Sequence, residues 1–456
     1  MKITKYILIV ISILALNACN DFLDITPKGK AVIETAEDYN GLIETLWPSY
    51  NPSNFSYLPV EQVHYITTEV LDYKYPAISA NFLWDESFDR AKYNQNDPLY
   101  NECYKRIAKF NILIECIDES EGEEALKVKA KAQARILRAY NYFFLVNTYA
   151  KAYNPATAAT DRAIVLRDEF NMEDLPGQST VQEVYDFIQA DIETSLPNLT
   201  DKRENIYRPG KAFGYAFKAK VHLYKGELDE ALAAAKEAMN YDAQLWNFEE
   251  YIPNMFNPMY MVPLDLPECL LHGYGSGSMT TMQHIAPEVS ALFNQMDLRK
   301  TAFLTMFPAH PLAPAGTTCF YTWNSIIWNC SGMRYSEVYL IIAECYARLG
   351  NIQEAVNTIN ELRKYRFYSK SVVKVSASTP EEARQIVIDE RRIELILTAN
   401  TFFDMKRYTV IPEYRKTLTK TYEGKEYTLD PDSHLYVMPF SIEALESNPN
   451  LVQNSK

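Results

Sequence analysis

Apolar residues recur at intervals of three and four along much of the chain, which is the spacing that places side chains on one face of an α-helix. This pattern predicts helices over residues 98–150, 180–196, 211–241, 334–365 and 379–408. Thr180 is the expected N-cap of the second of these helices, Glu183 completes a capping box, and Pro197 ends it. The periodicity therefore predicts a mainly α-helical protein.

Two of the helical segments carry the same arrangement of small residues. Residues 219–231 read AKVHLYKGELDEA and residues 343–355 read AECYARLGNIQEA, with alanine at both ends and a glycine at the eighth position. Each glycine falls between two helical patterns, where the turn needs a residue that can take a positive φ. The spacing resembles the tetratricopeptide repeat, a helix–turn–helix unit. Because such units stack to bury their apolar faces, we expect the helices at 102–150 and 180–196 to be further, degenerate partners.

Residues 40–100 and 242–333 break the helical pattern and are rich in Pro, Asn, Tyr and Trp. All five tryptophans lie in these two regions: Trp47, Trp84, Trp246, Trp323 and Trp328. Binding residues concentrate on loops that a rigid scaffold holds in place. We therefore expect a tetratricopeptide-like scaffold, over about 100–241 and 334–408, with a large, irregular, loop-rich insert that carries the ligand site.

The N-terminus has the features of a targeting segment. Two lysines precede an apolar run over residues 6–16, which is shorter than the roughly 20 residues needed to span a bilayer and matches a signal peptide. The run ends in Leu16-Asn17-Ala18-Cys19, which looks like a bacterial lipobox. We expect residues 1–18 to be a lipoprotein signal peptide and acylated Cys19 to anchor residues 19–456 in the outer-membrane lipid. Asn17 departs from the usual small residue, so an ordinary secretory signal is the alternative.

The charge balance argues against two classes of partner. The formal net charge is -14, and loss of Lys2 and Lys5 with the signal peptide makes it -16. Nucleic acid requires a basic face, and anionic lipid headgroups attract basic segments. We expect neither kind of binding.

Enzyme and cofactor motifs are not found in the sequence. A glycine-rich phosphate loop, His-Glu-x-x-His and Gly-x-Ser-x-Gly are all missing, so no catalytic residue and no cofactor is predicted. A glycosidase acid/base pair remains an alternative, although nothing singles out two carboxylates. Cys269, His272 and His284 lack a second ligand pair, and no metal site is predicted.

Two further groups of residues receive structural interpretations. Cys319 and Cys330 share an irregular region and are the best candidate disulfide pair, with free thiols as the alternative. The charged residues of 390–394, together with Asp404 and Arg407, are expected to form helix-surface ion pairs that fix the C-terminal helix against the scaffold.

Several stretches along the chain resemble the SusD/RagB family of Bacteroidetes outer-membrane lipoproteins. They are CNDFLD at 19–24, ARILRAY at 134–140, VYDFIQAD at 184–191, RYSEVYL at 334–340, ERRIEL at 390–395, FDMKRY at 403–408 and NPNLVQN at 448–454. Occurring in this order, they cover nearly the whole mature chain. The resemblance implies a single SusD-like domain over 19–456, located on the extracellular face of the cell outer membrane.

The same resemblance implies a function. Family members form a lid on a SusC-like TonB-dependent transporter, capture glycans or in some cases peptides, and hydrolyse nothing. Glycan-binding members use aromatic rings against sugar rings, although in no fixed motif. Aromatic and amide side chains of the insert have a suitable composition, and the candidate ligand-binding residues are Asn81, Trp84, Tyr321, Trp323 and Trp328. The alternatives are that these aromatics belong to the core, that the protein is the peptide-binding lid of a RagA-like importer, or that it is a scaffold for protein partners only.

Overall fold

The structure is a computed structural model, and it describes a large part of the 456-residue chain. The described residues are 33–46, 61, 63–65, 76–171, 173–255, 264–273, 283–305, 319–320 and 329–456. Cys19, Tyr321, Trp323 and Trp328 lie outside them.

The prediction of a mainly α-helical protein is confirmed. The helices of the described residues are α1 (Ala36–Leu46), α2 (Pro76–Leu83), α3 (Pro98–Cys116), α4 (Glu124–Tyr149), α5 (Val181–Ser195), α6 (Lys211–Lys225), α7 (Leu228–Ala238), α8 (Phe248–Met255), α9 (Pro287–Ser290), α10 (Leu298–Phe303), α11 (Tyr335–Arg348), α12 (Ile352–Arg363), α13 (Pro380–Glu394), α14 (Ala399–Tyr408) and α15 (Ile442–Ser447). None of them is both long and apolar enough to cross a membrane.

The two repeats form the expected helix–turn–helix units. Gly226 joins α6 to α7 with a φ of 83°, and Gly350 joins α11 to α12 with a φ of 81°. Ala231 and Ala355 are completely buried where the two helices of each unit pack together. Helix α11 packs against α7 and α13, and α4 packs against α3 and α5. The units therefore stack and share one continuous apolar core, as the repeat pattern predicted.

The predicted start and end of α5 are also found. The Thr180 side chain accepts a hydrogen bond from the Glu183 backbone N–H, and the Glu183 carboxylate accepts one from the Thr180 backbone N–H. The helix ends at Ser195, where a single 3₁₀ turn containing Pro197 follows. This reciprocal pairing satisfies backbone donors that would otherwise be unpaired at the helix start.

Short strands connect distant parts of the chain. The strands of the described residues are β1 (Val63–Tyr65), β2 (Cys269–Leu271), β3 (Gln283–Ile285), β4 (Leu304–Thr305), β5 (Cys319–Phe320), β6 (Met333–Arg334), β7 (Leu418–Tyr422) and β8 (Lys425–Leu429). They pair antiparallel as β1 with β3, β2 with β6, β4 with β5 and β7 with β8. The β1–β3 pair joins the two loop-rich regions, and the β2–β6 pair ties the second region to the start of α11.

The loop-rich regions are less irregular than the sequence indicated. They contain α2 in the first region and α8, α9 and α10 in the second, and none of these helices was predicted. The β7–β8 hairpin after the last repeat was also not predicted. Its turn has a positive φ at Glu423 (48°) and Gly424 (74°), as a tight two-residue hairpin requires.

Candidate functional site

The second loop-rich region has its own small apolar core. Phe248 and Tyr251 of α8 pack with Phe303 of α10, with residues of β3 and α9, and with Ile393 at the end of α13. The rings of Phe248 and Phe303 meet edge to face, with centroids 6.1 Å apart. We call this group the insert core. The insert core packs against Ile393 of α13, so the helical scaffold fixes its position.

Buried ion pairs join the insert to the scaffold. The Glu394 carboxylate on α13 lies 3.0 Å from a nitrogen of Arg299, 3.1 Å from one of Arg334 and 2.9 Å from one of Arg366. Arg299 belongs to α10 in the insert, whereas Arg366 follows α12 of the scaffold. We call this group the Glu394 cluster.

Further carboxylates balance the cluster. Asp297 lies 2.7 Å from Arg299, and Glu268 lies 2.5 Å from Arg366. Glu390 lies 2.7 Å from Arg299 and 2.8 Å from Arg363. Four guanidinium groups thus meet four carboxylates, all of them buried. Such an arrangement offsets the desolvation cost of each charge only while the set is complete.

The pKa of Glu394 reflects these contacts. Burial by itself raises the pKa of a carboxyl group, but the guanidinium groups of Arg366, Arg334 and Arg299 outweigh burial and hold the pKa of Glu394 well below its usual range. Glu394 is therefore ionised at neutral pH and acts as the charged centre of the joint between insert and scaffold.

The predicted helix-surface ion pairs of residues 390–394 are partly wrong. Glu390, Arg391 and Glu394 are buried rather than on the surface, and most of their partners come from other elements. Arg392 is half-buried and pairs with Glu61 of the first loop-rich region at 2.9 Å. The cause is the closure of this helix face by α10 and by the segment after α12, which sequence spacing cannot reveal. Charged contacts do fix α13, as expected.

Asp404 and Arg407 belong to a second buried cluster. Asp404 accepts hydrogen bonds from Arg391 and Arg407, each at 2.8 Å, and Arg407 also binds Glu344 of α11 bidentately. The predicted pairing of Asp404 and Arg407 is thus confirmed, although in the interior. This cluster ties α14 to the second repeat.

The described residues on both sides of the sequence that carries Tyr321, Trp323 and Trp328 are held in place. Before it, Phe320 pairs with Leu304 in the β4–β5 ladder. After it, the buried Asn329 side chain accepts hydrogen bonds from the backbone N–H groups of Gly273 (2.6 Å) and Gly332 (3.0 Å). The three residues themselves lie outside the described part of the chain, and their role stays a prediction.

Asn81 and Trp84, the other two candidates, are both buried. Trp84 is 4% exposed and Asn81 is 2% exposed. The Nζ atom of Lys420 lies 4.1 Å from the ring centroids of both Phe82 and Trp84, and Asn81 accepts a hydrogen bond from Arg90 at 3.1 Å. This burial favours the alternative that these two residues belong to the core. Their ligand-binding role remains a prediction.

Lys420, which contacts Trp84, lies near charged residues of both loop-rich regions. Burial lowers the pKa of Lys420 to about 7, and the nearby carboxylates of Glu288 and Glu61 oppose this shift. Glu61 comes from the first loop-rich region and Glu288 from α9 of the second. The structure therefore brings the two predicted regions together at the β7–β8 hairpin.

Among the described residues, the cysteine and histidine side chains form neither a disulfide nor a metal site. Cys330 is a buried free thiol that contacts the Gly273 carbonyl at 3.4 Å, so the candidate disulfide with Cys319 is not formed. His272 is buried, and burial lowers its pKa to about 4. Within the described ranges no three His, Cys, Asp or Glu side chains are grouped as metal ligands.

Two cavities lie outside the insert core. One, of about 330 Å³, is bounded by α13, α14 and β7 and reaches Glu61, and several of its charged groups are already paired, as in Arg392–Glu61 and Arg384–Glu381. The other, of about 860 Å³, runs along the C-terminal segment. No sequence signal pointed to either, because residues from distant segments line both.

Comparison with known proteins agrees with the fold. A model of the "SusD family" matches residues 326–456, and a model described as "Starch-binding associating with outer membrane" matches residues 21–223. SusD-like protein P38 of Formosa agariphila is 23% identical over 98% of this chain and 97% of its own length. SusD-like protein P2 of the same organism is 24% identical over 73% of this chain and 75% of its own length.

Solved structures share the architecture. A SusD superfamily protein from Bacteroides thetaiotaomicron superposes with a TM-score of 0.73 at 19% identity, covering 92% of this chain and 100% of that one. Surface glycan-binding protein A from Bacteroides uniformis superposes with a TM-score of 0.68 at 16% identity, covering 92% and 98%. At such identities the likeness concerns the fold alone. The two family matches, over residues 21–223 and 326–456, place this chain in the SusD family.

Proposed function

We propose that this protein is a lipid-anchored receptor on the extracellular face of the outer membrane, which captures a glycan and passes it to a SusC-like TonB-dependent transporter. The observation that carries the proposal is that the residues on both sides of the aromatic sequence 321–328 are fixed, Phe320 in the β4–β5 ladder and Asn329 by buried hydrogen bonds. That sequence contains Tyr321, Trp323 and Trp328. Fixed ends lower the entropy that a loop loses on binding, so aromatic rings there suit the apolar face of a sugar.

The contacts between the second loop-rich region and the helical scaffold support the same role. The Glu394 cluster and the insert core attach the second loop-rich region to the helical stack through charged and apolar contacts. Side chains bind more strongly when the scaffold holds them in place before the ligand arrives. The scaffold acts as the support and the insert as the binding surface.

The anchor and the partner are argued from other features. The apolar segment before Cys19 and the family description of association with the outer membrane support membrane attachment through an acylated cysteine. A SusC-like barrel is the partner that the family resemblance implies.

Calorimetric titration of the mature protein, residues 20–456, tests the proposal against polysaccharides, their oligosaccharides and peptides. We expect binding to one glycan class without new reducing ends. Release of reducing ends would favour the glycosidase alternative. Binding to peptides alone would favour the peptide-import lid of a RagA-like system.

Variants of the aromatic segment locate the site. Trp323→Ala and Trp328→Ala should each weaken glycan binding by up to about tenfold, because an aromatic contact contributes about 0.5–1.5 kcal/mol. Phe170→Ala is the matched control, since Phe170 is an exposed aromatic on a scaffold loop. Trp84→Phe separates the two interpretations of Trp84: a core residue leaves affinity unchanged, whereas a binding residue lowers it.

A further inference from the structure

The larger cavity, of about 860 Å³, lies away from the proposed glycan surface. Its walls come from the loop after α4, the end of α14, the loop before α15 and the chain terminus, over residues 149–162, 406–415, 431–437 and 452–454, with Gln178 beside them. We call it the C-terminal cleft. None of its lining residues belongs to either loop-rich region. Its volume is within the range of roughly 300–1,000 Å³ that is typical of small-molecule sites.

The cleft is more basic than the protein as a whole. Lys151, Arg162, Lys406 and Arg415 line it, against only two carboxylates. Those carboxylates, Asp161 and Asp432, are already paired with Lys151 at 2.7 Å and Arg415 at 2.5 Å. The other two basic side chains, Lys406 and Arg162, have no carboxylate partner within the described residues. This excess of basic groups contrasts with the net charge of -14 of the full sequence.

Of these two side chains, Lys406 is the more unusual because it is buried. It is 1% exposed, and its Nζ atom donates one hydrogen bond, to the Asn147 carbonyl at 2.8 Å. An ammonium group has three donors, so two have no protein acceptor among the described residues. Burial lowers the pKa of Lys406 well below its usual value, and no nearby carboxylate opposes that shift. Protonating this buried amine is costly without an anion nearby, and an anionic ligand would offset that cost.

Arg162 complements Lys406 at the surface of the cleft. Its side chain is exposed, and its backbone forms a bridge with Thr180, which fixes the position from which the side chain extends. A guanidinium group binds carboxylate and sulfate oxygens through paired hydrogen bonds. Lys406 and Arg162 line the same cleft, one buried and one exposed, so the cleft presents basic groups both inside and at its surface.

The rest of the lining mixes apolar residues, such as Val410 and Pro412, with polar ones. The side-chain amides of Gln178 and Gln453 are hydrogen-bonded to backbone groups, but the hydroxyl groups of Thr157, Thr160 and Ser433 lie along the walls. Groups of this kind exchange hydrogen bonds with ligand hydroxyls and carry no charge. The cleft therefore combines cationic groups with a surface suited to a polyhydroxylated molecule.

We propose that the C-terminal cleft is a second binding site, which takes the carboxylate or sulfate group of an acidic sugar through Lys406 and Arg162. The identification of the ligand as a sugar rests on the proposed function, whereas the preference for an anion rests on the cleft alone.

Titration of the mature protein with matched ligands tests the proposal. The ligands are oligogalacturonate, a sulfated galactan oligosaccharide, a neutral galactan oligosaccharide of the same length, inorganic sulfate and a tetraglutamate peptide. Arg162→Gln should weaken binding of an acidic oligosaccharide by about tenfold and leave the neutral one unchanged, because one charge-assisted contact is removed. Lys406→Met should have the same selective effect. Lys370→Gln, which removes an exposed lysine elsewhere, should change neither.

Each remaining outcome decides a separate part of the inference. Equal affinity for acidic and neutral oligosaccharides, or an acidic preference unchanged by Arg162→Gln, would overturn the site even if Lys406→Met fails to fold. Tetraglutamate that binds as tightly as oligogalacturonate would overturn the sugar assignment. Direct binding of inorganic sulfate to the wild type, lost in Arg162→Gln, supports the anion site even if every glycan fails to bind. Neutral glycan binding that depends on Trp323 but not on Arg162 supports the proposed function separately.

Discussion

Glu394 is the residue on which the joint between insert and scaffold most depends. Three buried guanidinium groups from different segments converge on its carboxylate, and each would remain charged if that carboxylate were neutralised. Removing one partner from a buried ion cluster costs about 3–5 kcal/mol, because the remaining charges stay buried without compensation. The cluster therefore specifies how the insert sits on the helices more than it adds net stability.

We predict that Glu394→Gln lowers the free energy of unfolding by about 3–5 kcal/mol, as measured by urea denaturation. Glu381→Gln is the control, since that side chain is 74% exposed and pairs with Arg384 on the same helix, so it should change stability little. Similar losses in both variants would contradict a special role for the buried cluster.

The pH dependence of the Glu394→Gln difference follows from the depressed pKa of Glu394. The unfolded carboxyl titrates near 4.5, while the folded one titrates far lower. The stabilisation is therefore complete above about pH 4.5 and is lost progressively as the pH falls toward the folded pKa. The gap between wild type and Glu394→Gln should be constant at neutral pH and narrow below pH 4.5.

Burial is the property of these residues that the sequence could not provide. The charges of 390–394 were evident, but the partners of Glu394 lie 28 and 95 residues away at Arg366 and Arg299. Trp84 raises the same difficulty, because its polar and aromatic neighbours suit either a sugar site or a core. The contact with Lys420, which lies far along the chain, shows that a face of the Trp84 ring is covered.

At the scale of elements, the glycines in the turns determine how the two helices of each repeat are joined. Gly226 and Gly350 both have left-handed φ values, and a Cβ atom at either would meet no other atom within 4 Å. Substitution by alanine therefore costs backbone strain alone, without a clash. That cost is roughly 1 kcal/mol for a single left-handed residue.

We predict that Gly226→Ala and Gly350→Ala each lower the free energy of unfolding by about 1 kcal/mol, as measured by urea denaturation. Gly41→Ala should have the opposite sign, since Gly41 lies within α1 without a positive φ and with open space at its Cβ. There, alanine should stabilise by about 0.5–1 kcal/mol, because glycine is the weaker helix former. A loss at all three positions would indicate that the turns are not the cause.

Repeats and caps were predictable because their signals are local. A thirteen-residue pattern was enough for each helix–turn–helix unit, and four residues were enough for the capping box at Thr180. The β7–β8 hairpin was missed because its turn places Glu423, rather than Asn or Asp, at a positive φ. Helix α8 was missed because Pro253 lies inside it, and proline usually marks the end of a helix.

Long-range pairings assemble the insert at the scale of the whole molecule. Strand β1 reaches β3 across more than two hundred residues, and the same closure brings Glu61 to Arg392. Composition predicted that the two regions form the binding part, but it could not indicate that they meet at one place. The C-terminal cleft was missed for the same reason, since its lysine, arginine and terminal segment come together only in the fold.

The lipid anchor is the prediction at this scale that is most open to contradiction, because it depends on one cysteine. The body carries a formal charge of -16 after loss of the signal segment, so anionic headgroups do not hold it by charge. Each buried methylene of an acyl chain contributes about 0.8 kcal/mol, so several chains on Cys19 would hold the protein firmly. We expect Cys19→Ala to move it out of the outer-membrane fraction.

The control is a cysteine that shares the compartment but not the proposed modification. Cys116 is exposed on the scaffold, and Cys116→Ala should leave the protein in the membrane fraction and open to surface labelling. Retention of Cys19→Ala in that fraction in cells that lack the SusC-like partner would contradict the anchor, because no barrel could then hold the protein. Retention only when the partner is present would instead assign part of the attachment to the transporter, and the lipid would serve to bring the two together.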